Sequence, residues 1–371
     1  MSTDTGNLAW TVPASATSIN HLTQQSLPIP TAGPRQVLVR LTAASLNYRD
    51  LLVATHSPEY PGIDGLPGNH ATDLVPCSDG SGVIHSTGLE SEWAGREGKK
   101  VLLHPNEWLT GDARNLDLQR VFGAAGSEGV LQQWILVDDA RVIEAPPHLS
   151  SVQSASLATA GVTAWSAIRE GLDATLAGGL DDWHDGKRLE GKTILTQGTG
   201  GVSCFAIQIA AALGATVIVT SSSDAKLEFA KKLGATHGIN YTTTPNWDQE
   251  VLRLTDGKGV DQVIELGGAR TLLKSVNSVR KGGLVSLIGI LSAPQDVSAE
   301  VVPALLFGGK IVKGCVAFSR DATAEFAKFA EQNDIRPIVA KGFDFDDAVG
   351  AFKALQNQTE VGKIVIKIGD E

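Results

Sequence analysis

The sequence predicts an α/β protein of two domains, a mostly β domain followed by a doubly wound parallel sheet. Three observations carry that expectation. The chain has 371 residues, and at roughly 150 residues per domain that length suits two cores. Up to about residue 160 short apolar runs are broken by Gly, Pro and Asn, whereas from Lys192 strand-like and helix-like runs alternate. The 40 glycines cluster at points of punctuation and form no repeat.

In the first domain VLVRLTAAS (37–45), GVIHS (82–86), KVLLH (100–104) and WILVD (134–138) read as strands. Residues 105–128 show little helical period and read as loop. The character changes near Ser150, where HLSSVQSASLATAGVTAWSAIRE places a serine at a cap and runs on helically through small residues. Residues 171–191 are polar and Gly-rich and read as a loop or insertion.

The alternation then begins. KTILTQ is a strand and VSCFAIQIAAALG a helix stopped by Gly214. ATVIVT is the next strand, and SDAKLEFAKKLG the next helix, ending at Gly234. HGINY, a helix over about 246–255, VDQVIEL (260–266), a helix near 270–280 and GLVSLIG (283–289) continue the βαβ rhythm that specifies parallel pairing. KIVKGCVAF (310–318) adds a strand. The tail, FDFDDAVGAFKALQNQTEVGKIVIKIG, reads as a helix and a strand. With the parallel sheet complete, that strand is expected to return to the first domain.

Several function classes are disfavoured by composition. Lys and Arg number 31 against 41 Asp and Glu, a net charge of −10, and the basic doublets Lys99-Lys100, Lys231-Lys232 and Arg280-Lys281 are scattered. That is not the footprint of a nucleic-acid binder. No apolar run approaches the ~20 residues that span a bilayer. MSTDTGNLAW has neither a basic n-region nor an apolar h-region, so a cytoplasmic protein is expected. Cys77, Cys204 and Cys315 lie far apart without a C-x-x-C pair, and the eight histidines show no H-E-x-x-H spacing. A disulfide framework and a four-cysteine zinc site are both disfavoured.

Gln197-Gly198-Thr199-Gly200-Gly201-Val202-Ser203 follows one strand and opens one helix. In that context glycines permit a tight turn (Gly198) and close approach of a pyrophosphate (Gly200), while the helix start near Gly201 offers free N–H groups and a positive dipole end. A dinucleotide is the expected ligand, against the plainer alternative of a simple βα turn. Roughly 20 residues further on, an acidic side chain would hold a ribose 2′-OH and repel a 2′-phosphate. Here the strand ends in Ser221-Ser222-Ser223, with Lys226 a turn later. Hydroxyls and an ammonium suit a 2′-phosphate, so Ser222, Ser223 and Lys226 point to NADP(H). Asp224 is the rival ribose ligand; we read it as a first-turn residue of the next helix. One of the serines also serves as its cap.

SLNYRDLLVATHSPEY, PCSDGSGVI, LATAGVTAW, the glycine turn with its flanks, VIELGG and VSLIG together resemble the medium-chain dehydrogenase/reductase superfamily. The likeness runs from about Val37 to Ile368 and is to its zinc-independent branch, similar to quinone oxidoreductases and zinc-type alcohol dehydrogenase-like proteins. It implies a GroES-like β-rich catalytic domain over 1–160, completed by the tail 317–371, and a Rossmann-type cofactor domain over 161–316. It also implies a homodimer acting on a small molecule. In zinc-dependent members of the family a cysteine opens the segment that reads here Asn47-Tyr48-Arg49-Asp50. A Gly-His-Glu lies where Cys77-Ser78-Asp79 stands, and a second cysteine lies near Thr159. Asn47, Ser78 and Thr159 are not competent zinc ligands, so no metal is expected.

The resemblance places Asn47, Tyr48 and Arg49 against the nicotinamide, and all three carry hydrogen-bond donors. Without a Lewis acid, hydride transfer favours an acceptor that tolerates negative charge, an enone, an enoyl compound or a quinone, with donors aimed at the developing enolate oxygen. Tyr48 is also a candidate proton donor, although solvent can serve. Alternatively Tyr48 walls the pocket, and Arg49 pairs with Asp50 or Asp79. The resemblance further implies that Thr163 reaches the nicotinamide ribose or carboxamide, Tyr241 lies beside the adenosine phosphate, Gly267 and Gly289-Ile290 end strands under the dinucleotide, and Lys363 contacts the cofactor. His104 is expected to border the substrate without a catalytic role. Two rivals to an NADPH-dependent enone or quinone reductase remain: a metal-free alcohol/ketone oxidoreductase, and a cofactor-binding protein with a sensor or redox-neutral role.

Overall fold

The computed structural model describes residues 6–56, 72–173, 188–289, 291, 296–315, 318–357 and 359–370. Ile290 and much of the 171–191 segment lie outside the described residues. The chain divides into two compact units, one of Met1–Val162 with Phe318–Glu371 and one of Thr163–Ala317.

The first unit is organised around Gln36–Ser45, whose β-branched and small residues (QVLVRLTAAS) pair on both edges. In spatial order its sheet runs Val339–Asp344, Lys363–Lys367, Gln36–Ser45, Asp79–Thr87, Lys100–Leu103 and Val142–Glu144. Trp134–Asp138 also joins Gln36–Ser45 antiparallel, from Gln36 opposite Asp138 to Arg40 opposite Trp134. On the other neighbour Ser45 faces Asp79, which fixes Asp79 at the first rung of its strand. The tail strand lies antiparallel to the same hub, Val365 opposite Ser45 and Lys367 opposite Ala43. Val39, Leu41, Ile84, Leu103, Phe352 and Ile366 share one buried core beneath these strands. Trp10 Nε1 donates to Phe345 O at 2.7 Å, tying the first strand to the tail.

The segment after Ser150 is helical but not uniform. Ser150 Oγ accepts from Gln153 N at 3.3 Å and caps Ser151–Ala155. A π-helical turn, Leu157–Gly161, then precedes the helix Val162–Asp173.

The second unit is a six-stranded parallel sheet. In spatial order its strands are His237–Asn240, Thr216–Ser221, Thr193–Gln197, Val260–Glu265, Val279–Leu287 and Ile311–Gly314. The order reverses between Thr193–Gln197 and Val260–Glu265, the topological switch point where ligands of doubly wound sheets lie. The expected α/β class, a GroES-like domain with a Rossmann-type domain, is the observed one. Some elements differ from the sequence reading. The strand at GLVSLIG begins earlier, at Val279, and that at KIVKGCVAF is only Ile311–Gly314. Val301–Gly308, Arg320–Gln332 and the strand Val339–Asp344 are further elements that the reading did not name.

Candidate active site

In the first unit the polar residues of four separate segments meet. Asn47 sits at the N-cap of the helix Tyr48–Ala54, its backbone N–H donating to Asp50 Oδ2 at 2.8 Å. Its side-chain Nδ2 donates to Ser78 Oγ at 3.3 Å, and Ser78 Oγ donates to Asp79 Oδ1 at 3.1 Å. Thr159 arrives from the π-helical turn and donates twice to the same carboxylate, through Oγ1 to Oδ1 and through its backbone N–H to Oδ2. The π turn widens the helix by a residue, as such turns do at functional sites. Lys363 enters from the tail strand, where its Nζ donates to Leu46 O at 2.7 Å and Asn47 Oδ1 at 2.5 Å. It lies 3.8 Å from Asp79 Oδ2, an ion pair whose side chains are 5% and 0% exposed.

The electrostatics follow from burial. Desolvation lowers the Lys363 pKa, opposed by Asp79 and Asp50. Asp50, fully buried, is pushed up to about 6 by desolvation, with Arg49 acting against it. The Cys77 thiol is raised for the same first reason and remains a small buried group.

Tyr48 is half-buried and packs against the core of the first unit. Arg49 Nη1 donates to Phe122 O at 2.9 Å and lies 3.6 Å from Asp50 Oδ1, the pairing weighed above as its structural role. Lys363, which the resemblance offers as a cofactor contact, is buried, its ammonium donating to Leu46 O and Asn47 Oδ1. His104 is buried too, with Nε2 against Asn106 Oδ1 and Nδ1 against Thr323 Oγ1, both at 3.0 Å.

In the second unit Gly198 has φ +73° and closes the turn through its N–H to Thr220 O at 2.7 Å. Gly200 caps Gly201–Ala212 without a side-chain hydrogen bond, and a Cβ added there would meet nothing within 4 Å. Free N–H groups above open space fit a pyrophosphate. Ser203, in place of a third glycine, donates to Gln197 O at 2.7 Å and locks helix to strand. Thr199 is buried beside Ser221, their hydroxyls 3.5 Å apart, while Gly201 and Val202 are half-buried.

Ser223 is the capping serine, accepting from Lys226 N at 3.3 Å. Asp224, the rival ribose ligand, accepts from Asn240 Nδ2 through Oδ1 at 2.8 Å. Ser222 and Tyr241 are exposed and Lys226 and Thr163 half-exposed.

Glu265, which the sequence reading did not single out, and Gln197 form a buried hydrogen-bonded pair. Both end strands at the switch point. Gln197 Nε2 donates to Glu265 Oε2 at 2.6 Å, and its Oε1 accepts from Leu266 N and Gly267 N at 3.1 Å each. Glu265 Oε1 further accepts from Gly267 N, Gly268 N and Thr271 Oγ1. The signal was a carboxylate inside the apolar run VIEL, which a buried strand tolerates only if hydrogen-bonded. Gly289 follows the next strand, where a Cβ would lie 1.9 Å from Leu266 O.

The first unit thus carries a buried donor cluster and the second a glycine turn, and comparison with known proteins names the family. Residues 33–147 match the alcohol dehydrogenase GroES-like domain and residues 201–332 the zinc-binding dehydrogenase domain. A zinc-type alcohol dehydrogenase-like protein of Schizosaccharomyces pombe is 36% identical over 337 residues, 90% of this chain and 91% of that protein. A mitochondrial NAD(P)H oxidoreductase of Mus musculus is 29% identical over 90% of this chain and 82% of its own. A solved structure of an NAD-dependent alcohol dehydrogenase superposes with a TM-score of 0.82 at 27% identity, covering 98% of this chain and 100% of that one. The chain belongs to the medium-chain dehydrogenase/reductase superfamily and is an oxidoreductase of that family.

The name of the second domain implies zinc, and the donor set does not fit it. Asn47, Ser78 and Thr159 present a neutral amide and two hydroxyls already bonded within the cluster, and a divalent ion among them would face the Lys363 ammonium. Among the described residues no group of three His, Cys, Asp or Glu side chains is placed to hold a metal. No helix among them is long and apolar enough to cross a membrane.

Proposed function

We propose that the chain is an NADP(H)-dependent, zinc-independent reductase of an activated C=C bond, enone or enoyl, or of a quinone. The observation that carries this reading is the directed amide of Asn47, held between Lys363 and Ser78 where zinc ligands would otherwise be needed. When bound, the reduced nicotinamide supplies the hydride. The glycine turn from Gly198 to Val202 cradles the phosphates, Ser222, Ser223 and Lys226 take the 2′-phosphate, and Thr163, Tyr241, Gly267 and Gly289 line the rest. Asn47 Nδ2–H donates to the substrate oxygen as it becomes an enolate, and Tyr48 gives a proton to the α-carbon. Arg49, bonded to Phe122 O, holds the loop rather than the substrate. A conjugated acceptor asks least of such a site, because its charge spreads over the whole enolate. The chain acts as a homodimer on a small molecule.

The test is kinetic. With an enone or quinone as substrate, Tyr48→Phe should lower kcat about 10-fold or more while the NADPH Kd stays unchanged, since one preorganised donor is typically worth ~10²–10³ in rate. Unchanged turnover would leave Tyr48 as a wall of the pocket. Consumption of NADPH with simple aldehydes, and with no enone or quinone, would sink the reaction class.

A further inference from the structure

Asparagine's amide looks nearly the same after a half-turn about its last bond, so only its partners decide which end faces which way. At Asn47 the decision is made by a group that can only donate. The Lys363 ammonium sits 2.5 Å from Oδ1 and has no lone pair to offer an N–H. Its other contacts are equally one-sided, Leu46 O at 2.7 Å and the Asp79 carboxylate at 3.8 Å. On the opposite end Ser78 accepts one Nδ2 hydrogen and passes its own proton toward Asp79. Every hydrogen bond in the loop therefore runs in one sense, from lysine through amide and serine to carboxylate. Turning the amide would set an N–H against the ammonium.

We propose that Lys363 is a positioning residue for the reaction: its buried ammonium fixes the amide of Asn47 with the second Nδ2 hydrogen free for the substrate oxygen. The same charge polarises the amide and supplies, from within the protein, the positive charge that the neutral donor set cannot obtain from a metal. This rests on the reading of Asn47 as the oxyanion donor. It also explains why the fold keeps a buried lysine at all. An ion pair of this burial is a poor source of stability compared with apolar residues of the same volume, and a methionine could fill the space. Polarisation passes along hydrogen bonds, and a cation on the carbonyl end makes the N–H end the better donor.

The experiment is a mutant cycle on the full chain with NADPH and the best enone or quinone. Lys363→Met alone leaves Asp79 buried without its cation and risks the fold, so Lys363→Met/Asp79→Asn is made beside it. We expect kcat to fall about 10-fold or more in both, with the NADPH Kd within about twofold of wild type. In an Asn47→Ala background Lys363→Met should cost less than about twofold more, because the lysine acts through that amide. Wild-type kcat in the double variant, or full additivity with Asn47→Ala, overturns the proposal. If the wild type reduces aldehydes instead, the reaction class fails while the same cycle, run on the aldehyde, still decides the role of Lys363.

A second readout needs no turnover. The side-chain amide resonance of Asn47, identified by its loss in Asn47→Ala, should be shifted and exchange-protected in the wild type. It should move toward the position of a free asparagine in Lys363→Met/Asp79→Asn. A resonance that does not move overturns the proposal as well.

Discussion

At the scale of single residues, burial decides what each polar group does. His104 illustrates the rule, since desolvation holds its imidazole down to about 3 although Asn106 favours the proton. The folded protein therefore keeps this ring neutral, while in the unfolded chain it titrates near its ordinary value of about 6.5. Because the folded pKa is depressed, no penalty exists above about pH 6.5, and stability is lost as pH falls from there toward 3. Between pH 7 and pH 5 the wild type should lose about 2 kcal/mol more unfolding free energy than His104→Gln. Denaturant melts at the two pH values check this, and equal losses would mean the ring is solvated. Lys226 bears on a second expectation. With Ser222 and Lys226 exposed or half-exposed at the strand end, NADPH should bind about tenfold or more tighter than NADH. Lys226→Ala should weaken NADPH and leave NADH nearly unchanged in a fluorescence titration. Tighter NADH binding would restore Asp224 as the ribose ligand. Asn47, Ser78 and Thr159 could be singled out only through the family resemblance, which aligns them with the metal ligands of zinc-dependent members; the structure brings them together around Asp79. Asp79 as the hub and Lys363 as its cation were not legible, because only strand pairing brings residue 363 beside residue 47.

At the scale of elements, the parallel sheet was the most readable part. Its strands are buried runs separated by helices with glycine stops, and Gly214 and Gly234 do take positive φ, +86° and +113°. The helix Val301–Gly308 escaped because VVPALLFG has no one-sided period and leaves Leu306 and Phe307 in solvent. Two glycines in this unit make opposite predictions. Gly200→Ala meets open space, so its Tm should match the wild type while the added methyl crowds the pyrophosphate and weakens NADPH binding about tenfold. Gly289→Ala would drive a methyl to 1.9 Å from Leu266 O, and should cost roughly 1–3 kcal/mol of stability before any effect on binding. Thermal melts and titrations of both variants separate the roles. A stable Gly289→Ala would show that the turn after Glu265 yields.

At the scale of the whole molecule, the second unit carries a surface that a lone chain leaves unused. Ile311–Gly314 is an edge strand of the parallel sheet, and the neighbouring helix exposes Val302, Leu306 and Phe307 at 69%, 72% and 82%. A strand at the edge of a sheet beside an apolar patch is a template for association, and the expected outcome is pairing with a second copy through the same surface. Light scattering should give the mass of two chains, and Phe307→Asp should give one. A wild-type monomer would remove the patch from the account.

The tail strand has a consequence for synthesis. Leu46 and Lys363, which share a hydrogen bond, lie 317 residues apart in sequence. At roughly 5–20 residues per second the ribosome takes roughly 15–60 s to cover that span. During that interval the second unit, whose residues 163–317 are all made before the tail, can fold as a unit of its own. The hub strand meanwhile has Gln36–Arg40 covered by Trp134–Asp138, and only its Ala43–Ser45 end waits for the tail strand, a short open edge of the kind that invites mispairing. The same event that completes the sheet delivers the lysine, so a nascent chain halted before residue 363 would leave the Asn47 amide without the partner that orients it.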